Sequence, residues 1–382
     1  MKIIIVGGVA GGATTAARLR RLDENAEIIM FERGEYISYA NCGLPYYIGG
    51  VIQDRERLFV QTPETFRERL NVDVRNLSEV IKINRENKSV LVKNKKTNEL
   101  YEERYDKLVL SPGAEPVRPP LPGIDNKGIF TLRNVPDSDK IKTYIQENQS
   151  KRAVIIGAGF IGLEMAENLH HMGMQVTIVE MADQVMNMLD YEMAAEIHQH
   201  LKTKNVEFYL KDSVISFSKD NSTLVVNLKS GKNIRTDLVI LSIGVSPESK
   251  LAKEAGLEIG ERKGIVVNDY MQTNDTDIYA LGDAVLFNHP ILNKPVITYL
   301  AGPANKQGRI VADNIIQGNT RKYKGAIGSA IAKVFDITVA STGLSEKMLI
   351  QEKIPYLSSV THGSSHAGYY PDALPLTLKL LF

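Results

Sequence analysis

The amino-acid sequence predicts an α/β protein: two doubly wound, Rossmann-like domains followed by a smaller, more β-rich segment of α+β character. Three observations carry this. Strand-like apolar runs alternate with helical patterns at residues 2–6, 13–22 and 27–32, and again at 153–156, 162–172 and 175–180. Such βαβ alternation builds parallel sheets. The two stretches share one layout (strand, glycine-rich turn, helix, strand ending in glutamate) with Gly7 and Gly157 standing 150 residues apart. After Gly318 the pattern changes to short runs at 325–334, 336–341 and 374–382.

At 382 residues the chain is long enough for two or three domains, taking roughly 150 residues for each. Lys and Arg total 46 against 45 Asp and Glu, a net charge of +1 that supplies no global field to attract nucleic acid or an anionic membrane. The longest apolar runs are strand-sized, and the opening run is too short for a signal-peptide core, so neither a membrane nor export is expected and the expected location is cytoplasmic. Breaker-rich stretches at Ser111-Pro112-Gly113-Ala114-Glu115-Pro116 and Pro119-Pro120-Leu121-Pro122-Gly123 mark where the chain leaves the first domain, and Gly244-Val245-Ser246-Pro247 where it returns. The expected domains are therefore 1–112 with 245–320, then 113–244, then 321–382. The run 374–382 ends without a turn or polar tail and reads as a strand cut off mid-domain, so the last domain is expected to be partial.

Gly157-Ala158-Gly159-Phe160-Ile161-Gly162 is a complete G-x-G-x-x-G, directly after Ala153-Val154-Ile155-Ile156 and before a helix expected to open at Leu163-Glu164. The first glycine permits the tight turn, the second lets backbone approach a pyrophosphate, and the third lets helix and strand pack. Glu180 ends the next strand, where a carboxylate binds a ribose 2′-hydroxyl and repels a 2′-phosphate. NADH is thus expected ahead of NADPH. The first turn, Gly7-Gly8-Val9-Ala10-Gly11-Gly12, has Val9 in the second-glycine position, with Glu32 in register. Its partner is the strand Ile278-Tyr279-Ala280-Leu281-Gly282-Asp283, whose end can place a carboxylate and a backbone N–H beside a ribityl chain and its phosphate. Two dinucleotide sites with this strand point to FAD and NAD.

The single cysteine forbids an internal disulfide. Cys42 is either a small buried apolar residue, the usual fate of an unbridged cysteine, or a reactive thiol. With Pro45 able to open a helix, the thiol is expected at a helix N-terminus, where the dipole favours the thiolate. Seven histidines show no metal-ligand spacing, and no metal is expected.

Ser38-Tyr39-Ala40-Asn41-Cys42-Gly43-Leu44-Pro45-Tyr46, both glycine turns, Leu110-Ser111-Pro112-Gly113-Ala114, the Gly282-Asp283 strand, Ala301-Gly302-Pro303-Ala304-Asn305-Lys306-Gln307-Gly308-Arg309 and His366-Ala367-Gly368-Tyr369-Tyr370-Pro371 together resemble the pyridine nucleotide–disulfide oxidoreductases. Within them the chain is similar to the single-cysteine branch of CoA-disulfide reductases, NADH oxidases and NADH peroxidases. In the two-cysteine members a second cysteine follows the first by five; that position here is Tyr47. The histidine typical of the peroxidases and oxidases in the first turn is replaced by Ala10, which favours the CoA-disulfide reductase side.

The resemblance implies a homodimer acting on CoA disulfide, CoA persulfide or polysulfide, with Cys42 forming a mixed disulfide with coenzyme A. It implies that Arg33, Asn41, Val80, Ser111, Pro112, Gly113 and Ala301 join the first turn and Gly282-Asp283 around FAD, and that Gly244 joins the second turn and Glu180 around NAD(P)H. Thr14, Ser38, Asn41, Asn305 and Lys306 match positions lining the CoA channel, and Arg18 and Arg21, spaced i,i+3, can clamp its phosphates. The arginines equally suit a solvated helix C-terminus. Tyr369 or Tyr370 matches a proton donor contributed by the partner subunit; adjacent strand residues face opposite ways, so only one of the two can serve. The rival readings are an NADH oxidase or peroxidase using a Cys42 sulfenate, an electron-transfer reductase serving a protein partner, and a catalytically dead flavoprotein.

Overall fold

The computed structural model describes residues 1–221 and 223–382. The chain forms two compact units, one of Met1–Val117, Leu132–Lys142 and Gly244–Gly328, the other of Arg118–Thr131, Thr143–Ile243 and Ser329–Phe382.

The first unit is built on a five-stranded parallel sheet in the order Ile278–Ala280, Lys107–Leu110, Lys2–Val6, Glu27–Phe31, Asp73–Arg75. Its central strand shows why the apolar run at the N-terminus is continuous rather than alternating: Ile3, Ile4 and Ile5 are all fully buried, as a parallel strand covered on both faces requires. The helix Ala10–Leu22 lies beside Ala301–Gln317, and the approach is close enough that a Cβ at Gly308 would stand 2.8 Å from the carbonyl oxygen of Gly11. An antiparallel meander, Ser78–Asn84, Ser89–Asn94 and Leu100–Arg104, is inserted before Lys107–Leu110.

The second unit repeats this plan. Its five parallel strands run Glu207–Leu210, Gln175–Glu180, Arg152–Ile156, Leu238–Leu241, Ile129–Thr131, and its meander (Val214–Asp220, Thr223–Leu228, Asn233–Thr236) sits at the equivalent point, before Leu238–Leu241. One difference separates the repeats. The first unit takes its edge strand from late in the chain, the second from just before its own first strand.

The helices after the turns begin earlier than the sequence pattern suggests, at Ala10 and Phe160 rather than at 13 and 163. Gly12 and Gly162 therefore lie inside the helices. Glycine costs a helix interior about 1 kcal/mol, but a Cβ at either would collide with the carbonyl of Gly7 or Gly157, so tertiary packing overrides propensity.

Residues 329–382 comprise the hairpin Ala330–Val334 and Ile337–Ser341, the helix Glu346–Glu352, and a second hairpin of Ser358–Ser364 and Pro375–Leu381. Glu167 accepts from the Phe335 N–H (2.9 Å) and the Lys333 ammonium (2.7 Å), fixing the first hairpin. Tyr369 and Tyr370 lie in the turn between the strands of the second hairpin and not within a strand, so the opposite-face argument does not apply. Their rings stand 5.2 Å apart and both are solvent-exposed. Among the described residues no helix is long and apolar enough to cross a membrane.

Two buried histidines serve as acceptors. His198 Nε2 takes the Val185 N–H (3.1 Å), and His289 Nδ1 takes those of Ile291 (3.2 Å) and Leu292 (3.3 Å). Burial holds both below the usual value of 6.5, so the folded state keeps them neutral. The unfolded chain then binds more protons below that value, and stability present above it is lost as pH falls, by at most about 1.4 kcal/mol per pH unit for each histidine. Denaturant midpoints measured between pH 7 and 5 should drop in the wild type, and the slope should flatten in His198→Gln, whose amide oxygen accepts without titrating.

Candidate active site

The two glycine turns are near-copies in atomic detail. Gly7 and Gly157 have φ of +101° and +98°, a region that disfavours any side chain, and a Cβ at either would strike the carbonyl of Ser111 or Ser242. Their N–H groups donate to Phe31 and Val179 carbonyls, both at 2.8 Å. Glu32 accepts from the N–H groups of Gly8 (2.9 Å) and Gly34 (2.7 Å); Glu180 accepts from Ala158 (2.7 Å) and Ala182 (2.8 Å). Each carboxylate is thereby fixed at the end of its strand, with lone pairs left for a sugar hydroxyl. Val9 caps the first helix without a side-chain bond, and Gly159 the second. A Cβ at Gly159 would meet no protein atom within 4 Å, the open approach a pyrophosphate needs. Phe160 and Ile161 follow in the helix's first turn, Ile161 exposed, and Gly244 has φ +103° with nothing near it.

Around the first turn, Ser111 N–H bonds the Val6 carbonyl (2.8 Å), and the Gly113 carbonyl accepts from Glu248 (3.0 Å). Gly282 and Asp283 stand in a 3₁₀ turn after the edge strand. Gly282 N–H is taken by Gln307 Oε1 (2.7 Å), so a donor offered to a ligand here is not that of Gly282. The Asp283 carboxyl has no hydrogen-bond partner among the described residues, and burial pushes its pKa up to about 6, opposed by Arg133. A mostly buried acceptor without a donor fits a polyhydroxylated ligand, so these residues suit FAD. Ala301 opens the helix Ala301–Gln317 at the surface, whereas the Val80 side chain points into the hydrophobic core.

Arg33 is engaged by protein. It pairs with Glu115 (2.5 Å) and Glu248 (2.7 Å) in a cluster completed by Arg133, which meets both of the same glutamates and the Pro112 carbonyl. Arg133 is a site residue that sequence reasoning missed; the only local trace is its place in Leu132-Arg133-Asn134, just ahead of a helix.

Cys42 is exposed, which excludes the buried-thiol reading. It lies in a 3₁₀ turn, Asn41–Gly43, leading into a helix of only five residues, Leu44–Ile48. The thiol thus stands at a helix N-terminus as expected, but so short a helix offers far less dipole than a helix of several turns. The segment is closed by Ala40 N–H to Leu58 O (2.8 Å) and Val60 N–H to Ser38 O (2.8 Å), and joined to the first turn by Ser38 N–H to Gly8 O (2.9 Å). Ser38 adopts φ +45°, an uncommon conformation for a non-glycine residue.

Of the expected substrate residues, Thr14 and Asn305 are brought together (Oγ1 to Oδ1, 2.9 Å) by the packing of their helices. Arg18 Nε pairs with Asp313 (2.8 Å), leaving its outer nitrogens unspent on that carboxylate. Arg21 and Lys306 are exposed. The helix C-terminus belongs to Arg20, which donates to the carbonyls of Leu70, Asp23, Glu24, Ala26 and Asn71.

In the second unit Glu164, two residues beyond Gly162, is a further residue that the motif alone did not single out. Burial, helped by Glu167, raises its pKa to about 7. Among the described residues the one carboxylate group with metal-like spacing, Asp190, Glu192 and Glu346, is filled by the Lys379 ammonium.

Comparison with known proteins gives a consistent result. The profile of the pyridine nucleotide-disulphide oxidoreductases matches residues 1–309. A coenzyme A disulfide reductase of Staphylococcus haemolyticus is 37% identical over 381 residues, covering 100% of this chain and 84% of its own. The solved structure of reduced Bacillus anthracis CoADR-RHD superposes with a TM-score of 0.97 at 55% identity, over 100% of this chain and 68% of that one. An NAD-dependent persulfide reductase from A. fulgidus superposes at 0.96 with 38% identity, over 100% and 71%.

Proposed function

Since the chain belongs to the pyridine nucleotide-disulphide oxidoreductase family, we propose that it is an FAD-dependent NAD(P)H oxidoreductase that reduces CoA disulfide, or a CoA persulfide or polysulfide, through Cys42. The observation that carries this reading is one solvent-exposed cysteine, tied to the first glycine turn, with tyrosine where a second cysteine would stand. A single thiol must resolve its substrate by mixed-disulfide exchange: the Cys42 thiolate attacks one sulfur, the other sulfur leaves as a thiol, and two electrons from the nicotinamide later release the second thiol. FAD, when bound, supplies the relay of those electrons from nicotinamide to sulfur.

In this reading the backbone of Gly7 to Gly12, with Glu32 and Asp283, holds FAD, assisted by Ser111, Pro112, Gly113 and Ala301. Gly157, Gly159 and Gly162 admit the nicotinamide pyrophosphate, and the anchored Glu180 selects NADH. Thr14, Asn305, Ser38 and Asn41 line the coenzyme A path, and Arg18 and Arg21 meet its phosphates. Tyr369 or Tyr370 acts across a homodimer as the proton donor. Leu357, Leu376, Leu378, Leu380 and Phe382 share one face of the second hairpin and are 41–67% exposed, an apolar surface suited to a second copy. A cytoplasmic location agrees with a chain whose one cysteine must stay reduced.

The direct test is anaerobic oxidation of NADH, and separately NADPH, by the flavin-loaded protein with CoA disulfide, CoA persulfide, polysulfide or hydrogen peroxide. Turnover on a CoA species with NADH preferred is expected. Turnover with peroxide alone would overturn the reading.

A further inference from the structure

We propose that Asp139 and Lys142, on the helix Val135–Glu147, are positioning residues for Cys42: they clamp the five-residue helix that follows the cysteine turn, and so fix where the thiol stands. An isolated helix of that length has no stability of its own. Its order comes from outside. Lys142 Nζ donates to the Tyr47 carbonyl (3.0 Å) and stands 3.9 Å from the centre of the Tyr47 ring, which is buried. The ammonium therefore satisfies a C-terminal carbonyl of the helix and covers its main aromatic anchor in one contact. Burial lowers the Lys142 pKa, Asp139 opposing.

Asp139 closes the other side. It accepts from Arg55 Nε (3.1 Å) and Nη2 (2.7 Å), while Arg55 also donates to Tyr36 Oη (2.9 Å) and stacks over the rings of Tyr36 (4.9 Å) and Phe59 (5.3 Å). Burial and the neighbouring Asp139 carboxylate both raise the Tyr47 hydroxyl pKa. The charged and titratable groups on this clamp are thus Tyr36, Tyr47, Arg55, Glu56 (3.7 Å from Arg55), Asp139 and Lys142. Residues 36 and 59 bracket the cysteine turn in sequence, and a bidentate arginine–carboxylate pair beneath stacked rings is stiffer than a simple surface ion pair. Tyr47 is also the residue that occupies the second-cysteine position, so the substitution that leaves a single thiol supplies the ring the clamp grips.

The proposal rests on Cys42 being the reacting group, and the test separates the two. In the flavin-loaded protein, Cys42 alkylation by iodoacetamide is followed against pH for wild type, Lys142→Met, Lys142→Arg, Asp139→Asn and the milder Tyr47→Phe. For Lys142→Met and Asp139→Asn the rate at pH 7 should fall about five-fold and the midpoint rise by about 0.5–1 pH unit, with Lys142→Arg restoring most of it. Asp139→Asn gives a sign test. Charge alone predicts that deleting a carboxylate lowers the midpoint, whereas lost positioning raises it. An unchanged midpoint with only a lower melting temperature, or a lowered midpoint in Asp139→Asn, overturns the clamp. Should Asp139→Asn fail to fold, Tyr47→Phe, which deletes the hydroxyl that hydrogen-bonds Asp139, must still raise the midpoint. Full turnover by Cys42→Ser would instead overturn the functional reading, leaving the alkylation profiles to judge the clamp alone.

Discussion

Cys42→Ser should lose turnover on a CoA disulfide by about 10³-fold or more, in line with the removal of a covalent nucleophile, while the protein stays yellow and its flavin is still reduced by NADH. The thiolate is the only sulfur nucleophile the chain possesses, and a serine hydroxyl cannot form the mixed disulfide at all. The structure explains why the two half-reactions should separate. Cys42 is exposed in its turn, so an isosteric hydroxyl leaves no cavity. The groups fitted to the dinucleotides (the two glycine turns, Glu32, Glu180 and Asp283) are held by backbone bonds and burial that do not pass through the thiol. Anaerobic stopped-flow reduction by NADH, then addition of CoA disulfide, gives both rates in one experiment. Loss of the first phase as well would mean the substitution disturbed the flavin site; retention of the second would assign Cys42 a structural role and favour an electron-transfer reductase.

What could be read from the sequence was local. The twin turns were legible because glycine positions, a flanking apolar run and a terminal glutamate lie within 30 residues of one another, and each has its own steric or electrostatic reason. Their likeness in the structure, down to the glutamate accepting from the turn, follows from those reasons. What escaped was assembled from distant segments. Arg133, Asp139 and Lys142 come from a stretch almost 100 residues after Cys42, and nothing in its own pattern announces that it packs with the first unit. Arg18, Arg20 and Arg21 look alike in a helix pattern; only the neighbours decide that Arg20 caps the helix while Arg18 faces Asp313. The tyrosine pair differs for another reason. Placing the two in a strand passes over Gly368 and Pro371, residues that favour a turn, and the turn breaks the alternation a strand would impose.

The second large effect expected is structural and concerns the hairpin that carries those tyrosines. The Lys379 side chain is only 6% exposed, and its ammonium meets Asp190 (3.0 Å), Glu346 (2.6 Å) and Glu192. Asp190 also accepts the N–H groups of Glu346 (3.0 Å) and Lys347 (3.2 Å), so one carboxylate joins the start of the helix Tyr191–Thr203, the start of Glu346–Glu352 and the last strand. The strand Ser358–Ser364 is exposed along its whole length, so little else holds the hairpin down beyond Thr377 Oγ1 donating to Glu196 (2.7 Å). Removing one partner of a buried pair strands the other, and Lys379→Met should cost about 3–5 kcal/mol through the unpaired Asp190. Hydrogen exchange across 358–381 should rise before the rest of the second unit opens. A pH series distinguishes lost charge balance from lost packing. In the wild type, for all the cost of burying it, the Asp190 carboxyl is held below its usual 3.8 by the two helix-start N–H groups and the ammonium, and that of Glu346 below its usual 4.5 by Lys379 and Tyr356. Their contribution is therefore complete above those values and lost as pH falls through the folded ones. In Lys379→Met the same carboxyls face one another uncompensated and their proton affinity rises above that of the unfolded chain, so acidification from pH 7 to 5 should narrow the stability gap to the wild type, the buried histidines acting on both proteins alike. Adding Asp190→Asn should recover much of the loss, because an amide still accepts from the helix-start N–H groups without a charge to bury. A Lys379→Met protein that melts like the wild type at every pH would show that the carboxylates are well enough solvated to do without the ammonium, and the hairpin would then owe its place to backbone pairing alone.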